Sequence, residues 1–191
     1  MRFVLRLLLS IAVALCVGFG LSYYALTDGR LFGAREIGPW ISWPDVGAPS
    51  PNPYTRGHLT RDGALQLGRS EGLQFIATTD SAGGPLDLAC TYRLDGRVPV
   101  SAFWTLAAVN ADWVNLSASP TQPAIRSSEV VRDTSGALRV SVGTRLSPYT
   151  WLELAGSGAF SLVLTLYDTT ALSGSASADL SLPTITRGDC A

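Results

Sequence analysis

The pattern of hydrophobic and polar positions divides the chain into two unlike parts. Residues Leu7 to Leu26 carry no charge and are mostly apolar, and an α-helix needs about 20 such residues to cross the hydrocarbon core of a bilayer. Beyond residue 54, apolar and polar residues alternate over short segments, which is typical of strands with one buried face. We therefore predict one transmembrane helix followed by a domain built from strands.

About eight short strand signals, separated by turns, follow the apolar run. In one of them Leu88, Cys90, Tyr92 and Leu94 share a face, and the residues between them are largely polar. No long helical period follows the apolar run, so we predict an all-β fold, a jelly-roll-like β-sandwich. The expected strands lie in residues 73–79, 87–94, 101–110, 130–131, 138–142, 151–154, 159–167 and 180–185, with turns at residues 80–85 and at the hairpin-type dipeptide Asp95-Gly96.

A proline-rich segment connects the two parts. Proline lacks an N–H and fixes φ, so we expect neither a helix nor a central strand between residues 39 and 53. Trp40 and Trp43 either lie in the headgroup layer or pack on the domain; we expect packing, because it buries their large rings. We divide the chain into a signal-anchor (1–26), a tether (27–53) and a sandwich domain (54–191). The prolines are Pro39, Pro44, Pro49, Pro51 and Pro53.

A short helix is expected to open the domain. Asn52 is a good N-cap, Pro53 suits the first helical position, and Gly63 can end the helix. On such a helix Tyr54 and His58 share a face, since they are four residues apart. Asn52, Tyr54, Arg56 and His58 are therefore our candidate ligand-binding residues, with Arg56 available for a carboxylate or phosphate. The alternative is a capped helix that closes one end of the sandwich.

Charge and composition exclude several kinds of function. The net charge is −1, all 14 basic residues are arginine, and His58 is the single histidine. A lysine-dependent Schiff base or phosphate loop is therefore excluded, as is a metal site with several histidines. We expect no cofactor, no metal and no nucleic-acid partner.

The ends of the apolar run indicate its orientation. Arg2 and Arg6 precede it, and cytoplasmic ends of membrane helices are enriched in such residues. We therefore place the helix in the inner (cytoplasmic) membrane and the domain in the periplasm. The alternative is a cleaved signal peptide, but its apolar region would be about 7–15 residues long, and Gly18-Phe19-Gly20 is a poor cleavage site. Either interpretation exports the domain.

The three cysteines fit an oxidising compartment. Cys16 lies in the apolar run, which leaves Cys90 and Cys190 for the domain. We predict that these two form a disulfide, and closing a loop of about 100 residues would stabilise the domain by up to about 4.7 kcal/mol. Two free thiols are the alternative. A catalytic pair of Cys90 with His58 is a third, although no orienting motif accompanies either residue.

Several segments together resemble the bacterial domain of unknown function 1214 family. The resemblance runs from about residue 38 to the end of the chain. It implies a jelly-roll β-sandwich, found in the family in short exported, membrane-tethered chains, and a companion exported protein of the unknown-function 1254 family as a partner. It implies no catalytic residues, and Thr150 and Glu153 replace a usual Asn and Pro. The segments are Asn52-Pro53-Tyr54-Thr55-Arg56, Leu65-Gln66-Leu67-Gly68, Asp80-Ser81 with Gly84, Cys90-Thr91-Tyr92-Arg93-Leu94 with Gly96, Phe103-Trp104-Thr105-Leu106, Trp151-Leu152 and Leu166-Tyr167-Asp168-Thr169.

Two further sets of residues have a functional and an ordinary interpretation. A pair of carboxylates about 5–10 Å apart could hydrolyse a glycoside, whereas single aspartates commonly cap turns, and we expect Asp80 and Asp95 in particular to lie in turns. Tryptophans could line a sugar-binding face, whereas in a sandwich they more often fill the core. The carboxylates are Glu71, Asp80, Asp87, Asp112 and Asp168, and the tryptophans are Trp104, Trp113 and Trp151.

Three classes of function follow from these patterns. The first is a non-enzymatic, membrane-anchored periplasmic module that binds a partner protein or a small ligand. The second is an envelope hydrolase acting on a glycan or a lipid-derived substrate, which needs a pocket where acid and base groups converge. The third is a structural subunit of a membrane assembly, for which Gly18, Ser22 and Ala25 would form a helix-packing face.

Overall fold

The computed structural model describes residues 2–28, 33–48, 50–62, 67, 71–169 and 180–190. Its first element is a long apolar helix, of which Arg2–Ala25 is long and apolar enough to cross a membrane. In chain order the elements are α1 (Arg2–Asp28), β1 (Arg35–Ile37), β2 (Trp40–Ser42), α2 (Pro53–Asp62), β3 (Gly72–Ala77), β4 (Cys90–Gly96), β5 (Ser101–Val109), β6 (Ile125–Arg126), β7 (Leu138–Gly143), β8 (Thr150–Glu153), β9 (Ser161–Thr169) and β10 (Thr184–Cys190).

The strands form two sheets, which confirms the predicted β-sandwich. The larger sheet has the order β1-β2-β3-β9-β5-β6, and the smaller has the order β10-β4-β7-β8. Neighbouring strands are antiparallel except β7 and β8, which are parallel. Alternate side chains of both sheets are buried in one core, such as Phe75 and Leu164 from the larger sheet and Tyr92 and Val140 from the smaller. The opposite face of the smaller sheet therefore carries the residues between the buried ones.

The short helix begins as predicted. The Asn52 side-chain oxygen accepts a hydrogen bond from the Tyr54 N–H at 2.9 Å. The Asn52 carbonyl accepts the first helical bond, from the Arg56 N–H, also at 2.9 Å. Asn52 is thus the N-cap of α2, and Pro53 occupies the first helical position, where its missing N–H costs nothing.

Part of the predicted tether forms strands of the larger sheet, and β2 lies where we expected neither a helix nor a central strand. Strands β1 and β2 form a hairpin around Gly38-Pro39, and β2 pairs with β3. The prolines stand beside the strands rather than inside them, and Gly38 supplies the positive φ of 59° that starts the turn. The predicted packing of Trp40 is confirmed: its ring is fully buried, and its indole N–H donates to the Pro183 carbonyl at 2.7 Å.

Asp95-Gly96 lies inside β4 rather than in a hairpin turn, so that interpretation was wrong. Asp95 is opposite Arg139 of β7 on one side and Thr184 of β10 on the other. A Cβ on Gly96 would lie 3.1 Å from the Pro183 Cα. The glycine therefore serves a close approach between two strands, and it does not mark a chain reversal.

The predicted disulfide between Cys90 and Cys190 is present. The two residues are partners in the β4–β10 ladder, with 3.9 Å between their Cα atoms. Both sulfurs are used in this bond, which removes the free-thiol interpretation and the catalytic pair of Cys90 with His58. The last strand also runs further than predicted, to Cys190 rather than to residue 185.

Candidate functional site

The predicted patch on α2 is only partly described. Tyr54 is 42% exposed, Arg56 is also exposed, and the side chain of His58 lies outside the described part of the structure. Asn52 uses its side chain as the helix cap. Binding by these four residues therefore stays a prediction.

Within the part of the chain that the structure describes, no three of the five candidate carboxylates come together, although Glu71 and Asp168 are neighbours. Asp112 follows β5 at one end of the β5–β9 pair and Asp168 lies near the other end, a separation of about 25–30 Å for strands of this length. Glu71 is the neighbour of Asp168, joined to it by a backbone hydrogen bond of 2.9 Å, and both side chains are exposed. Asp87 caps the Ala89 N–H at 2.8 Å, as expected of a turn residue.

Asp80 confirms the turn interpretation. One of its oxygens accepts the N–H groups of Ala82 and Gly84 at 3.0 and 2.8 Å. The other lies 3.1 Å from Nε of Arg187, and the Asp80 side chain is almost fully buried. This carboxylate holds the loop before β4 against β10. In the described residues no three His, Cys, Asp or Glu side chains come together as metal ligands would.

The three tryptophans do not form a common face. Trp104 lies in the core, as expected. Trp151 lies on the outer face of the smaller sheet, where its indole N–H donates to the Gly143 carbonyl at 3.2 Å. Trp113 stands in the turn after β5, with a positive φ of 60°. The interpretation that these three rings form one sugar-binding face is therefore wrong.

The outer face of the smaller sheet carries a groove with a volume of about 530 Å³. Its position follows from the strand alternation: Leu94 and Val140 point into the core, so Arg93, Asp95 and Arg139 point outward. We call this cavity the outer groove. Its lining residues are Asp95, Gly96, Val131, Arg132, Asp133, Ala137, Leu138, Arg139, Tyr149 and Thr150.

One carboxylate and two arginines form the polar floor beside the outer groove. Asp95 Oδ1 lies 2.7 Å from Nε of Arg139, and Asp95 Oδ2 lies 2.5 Å from Nε of Arg93. Partial burial of Asp95 by itself would raise the pKa of its carboxyl group. The hydrogen bonds from Arg139 and Arg93, together with their charges, outweigh that effect and lower the pKa of Asp95 below its ordinary value.

A strained tyrosine forms one wall of the outer groove. Tyr149 has a φ of 76°, which is rare for a bulky residue, and its ring is 61% exposed. The Arg139 guanidinium lies over this ring, 5.0 Å from its centroid. The hydrogen bond to Asp95 and then the contact with Tyr149 raise the pKa of Arg139 above its ordinary value. Before Tyr149, the Ser141 hydroxyl donates to the Pro148 carbonyl at 3.0 Å and holds the loop on the sheet.

The second carboxylate of the outer groove is engaged in a turn. Asp133 Oδ1 accepts the Ser135 hydroxyl at 2.7 Å, the Ser135 N–H at 2.8 Å and the Ala137 N–H at 3.0 Å. The Ser135 hydroxyl and the Ala137 N–H are the main reasons why the pKa of Asp133 is lowered. Both carboxylates of the outer groove are thus negatively charged near neutral pH, and each is bound by groups of the protein itself.

Sequence reasoning missed this groove for an identifiable reason. The alternation of β4 already indicated that Arg93 points away from the core. Asp95, however, was interpreted as a turn residue, and nothing local to either strand shows that it faces Arg139, 44 positions away. Register between strands is a tertiary property.

The comparison with protein families identifies the chain. The family model described as "Protein of unknown function (DUF1214)" matches residues 71–171, more than half of the chain. The chain belongs to this family. The match confirms the resemblance seen in the sequence, and the residues of the outer groove lie within the matched range, whereas α2 lies outside it.

One of the similar solved structures shares the fold of this DUF1214 chain. The VPA0106 protein from Vibrio parahaemolyticus is similar with a TM-score of 0.57 and 17% identity, over 71% of this chain and 35% of that one. A putative uncharacterized protein from Burkholderia cenocepacia has a TM-score of 0.45 and 13% identity, over 65% and 31% of the two chains. The chain thus spans about a third of the length of each. No curated protein matches it.

Proposed function

We propose that this DUF1214 chain is a single-pass protein of the cytoplasmic membrane whose β-sandwich lies in the periplasm and binds a small ligand or a partner protein. The observation that carries the location is the apolar helix Arg2–Ala25 joined to a domain with a disulfide. Disulfides persist in the periplasm and are rare in the cytosol. Arg2 and Arg6 at the start of the helix favour a cytoplasmic N-terminus.

The length of the helix supports an anchor over a cleaved signal. The uncharged, mostly apolar run of α1 extends from Leu7 to Leu26, whereas the apolar region of a signal peptide has about 7–15 residues. An anchored chain keeps its first residues and stays in the membrane after an alkaline carbonate wash. A cleaved chain is released with the soluble periplasmic fraction.

Reporter fusions test the proposed topology. We fuse alkaline phosphatase, which is active only outside the cytoplasm, or a green fluorescent protein that folds only inside it, after Cys190. The phosphatase fusion should be active and the fluorescent fusion dark. The matched control lacks residues 2–28. Its phosphatase fusion should be inactive and its fluorescent fusion bright. An active phosphatase in the control, or a bright fluorescent fusion of the whole chain, contradicts the proposal.

The outer groove supports the binding role. Its volume of about 530 Å³ lies in the range of small-molecule sites, about 300–1,000 Å³. Its wall combines an aromatic ring with charged groups held in place by neighbours, as binding sites do. The companion family implied by the resemblance, numbered 1254, is the partner protein that we propose to test.

Site-specific photo-crosslinking tests that partner in cells that produce both proteins. A photoreactive amino acid at Val131, on the rim of the outer groove, should crosslink to the companion protein. The same amino acid at Val114 is the control, because Val114 is also exposed and lies in the turn after β5. Equal crosslinking from both positions, or none from Val131, argues against a partner in the outer groove and leaves the small ligand.

A further inference from the structure

The arginines of the outer groove have bonding capacity beyond their contacts with the protein. A guanidinium has five N–H donors. Asp95 binds Arg139 and Arg93 through Nε of each, and Tyr149 adds one further contact to Arg139. At least three donors of Arg139 are therefore available to a ligand, and the two contacts fix the plane in which they lie.

The arginines of the outer groove are unequally engaged. The lining holds two arginines, Arg132 and Arg139, and two carboxylates, Asp95 and Asp133. Two further arginines lie beside it, since Arg93 pairs with Asp95 and the charge of Arg97 acts on Asp133. In the described part of the chain, no carboxylate forms an ion pair with Arg132. An arginine of this kind on a concave surface attracts anions.

Apolar groups stand next to these charges. Val131, which lines the outer groove, is 79% exposed. Tyr149 exposes its ring there while its backbone remains in the left-handed region. Strained residues of this kind persist where the surrounding structure holds them, and they occur often at binding sites. An exposed ring and an exposed valine beside arginines fit a ligand that is anionic at one end and apolar at the other.

We propose that the outer groove binds a small organic anion. Its carboxylate or phosphate group lies against Arg139 and Arg132, and its apolar body lies along Tyr149 and Val131. The planar guanidinium of Arg139 presents parallel N–H donors that match the two oxygens of such a group. This assignment rests on the binding role proposed above, but it is independent of the membrane topology.

Fluorine NMR with two matched probes tests the assignment on the full chain in phosphatidylcholine nanodiscs. The anionic probe is 4-(trifluoromethyl)benzoate and the neutral probe is 4-(trifluoromethyl)benzyl alcohol. The benzoate should show saturable line broadening, and the alcohol should bind at least fivefold more weakly. Equal broadening by both probes, or no saturable binding of the benzoate, overturns the assignment.

Matched arginine variants locate the site. Arg139→Gln should weaken benzoate binding at least fivefold. Arg126→Gln is the control, because Arg126 has the same 50% side-chain exposure as Arg139 and is also paired with a carboxylate, but lies on the larger sheet. Arg139→Lys, which keeps the charge and loses the planar fork, should bind with intermediate affinity. If Arg126→Gln weakens binding as much as Arg139→Gln does, the site is not the outer groove.

Two additional arms identify the anion and keep the proposals separable. Competition between phenyl phosphate and the benzoate shows whether the outer groove binds a phosphate or a carboxylate more tightly. If the outer groove binds a lipid headgroup, phosphatidylglycerol in the nanodiscs should displace the benzoate. If the natural ligand is soluble, the benzoate should stay bound. An active phosphatase fusion together with equal binding of benzoate and alcohol would keep the topology and reject the anion site. Reporter fusions that place the domain in the cytoplasm, together with selective binding of benzoate, would keep the anion site and reject the topology.

Discussion

Tyr149 illustrates how a single backbone angle ties stability to binding. Its left-handed conformation costs about 1–3 kcal/mol for a residue with a side chain. The contact of its ring with the Arg139 guanidinium returns about 0.5–1 kcal/mol at an exposed position. The strain exceeds the contact, so the protein would be as stable with glycine here. Retaining the ring makes physical sense if a ligand uses it.

Replacing this residue separates the two effects. Tyr149→Gly should leave the free energy of unfolding within about 1 kcal/mol of wild type, because relief of the strain offsets the lost contact and the added chain entropy. Tyr54→Gly is the control: Tyr54 is also exposed, but it lies in α2 without a positive φ, so glycine relieves no strain there and lowers the helix propensity. Chemical denaturation of both variants measures this. A larger loss at Tyr149 than at Tyr54 would show that the left-handed angle is not strained.

Among the strands, β10 is attached to its sheet at several points. The disulfide joins its last residue to the start of β4. Arg187 contacts the carboxylate of Asp80, donates a hydrogen bond to the Pro85 carbonyl, and lies over the Tyr92 ring at 5.8 Å. The loop before β4 is thus held against this edge strand, and an edge covered by a loop is protected from pairing with other chains.

The contribution of the disulfide to stability is measurable. The double substitution Cys90→Ala with Cys190→Ala should lower the free energy of unfolding by about 2–5 kcal/mol, because the bond closes a loop of about 100 residues in the unfolded chain. Cys16→Ala is the control, since Cys16 is a free thiol in α1, and it should change nothing. Denaturation with and without a reductant gives the values. Alkylation of three thiols instead of one in the denatured, unreduced protein would contradict the bond.

The ion pairs of Asp95 between β4 and β7 predict a pH dependence. The folded protein holds the pKa of Asp95 below its ordinary value, so the ionised form stabilises the fold. This contribution is complete above the unfolded pKa of about 3.9 and is lost as the pH falls through the lower folded pKa. The arginines are half exposed, which limits the contribution to about 1 kcal/mol.

Asp95→Asn should therefore be less stable than wild type at pH 6 by up to about 1 kcal/mol, and this difference should shrink as the pH is lowered from 4 to 2. Asp112→Asn is the control, because Asp112 is an exposed turn carboxylate that forms no ion pair within the described residues. Thermal denaturation over this pH range gives the comparison. A stability difference that stays constant down to pH 2 would mean that the ion pairs of Asp95 with these arginines do not contribute to stability.

In the molecule as a whole, helix and sandwich are structurally separate for most of their length. Residues 2–24 of α1 are exposed throughout, and burial begins at Ala25. The core is built by residues 40–185. The stability of the sandwich should therefore not depend on the membrane segment, and the helix should serve for location alone.

Deleting residues 2–24 behind a cleavable signal peptide tests this independence. The shortened chain should be exported, form the disulfide between Cys90 and Cys190, and unfold within a few degrees of the full chain, because no core residue is removed. Circular dichroism of both forms measures the transition. A shortened chain that is aggregated or unfolded would show that α1 supports the sandwich.

Alternation within single strands was sufficient to predict much of the fold. Strands β3, β7 and β8 lie within or close to the expected residues. Each belongs to one of two packed sheets, so every second side chain must point into the core. The N-cap of α2 was equally local, because Asn52 satisfies an N–H only two residues away. The pairing of Cys90 with Cys190 followed from counting, as the third cysteine lies in the apolar helix.

Contacts between distant segments were decided by the tertiary structure. Trp40 is in the core because β2 pairs with β3, although prolines surround it in the chain. Asp95 faces Arg139 because of the register between β4 and β7, and Gly96 is required because Pro183 approaches it. The sequence by itself determined the apolar helix and the strand content, which depend on composition and short-range periodicity. It predicted the disulfide only as the pair of cysteines that remained for the domain, and the folded chain brought them together. Only the folded chain decided the outer groove, because it is assembled from residues whose proximity no local pattern encodes.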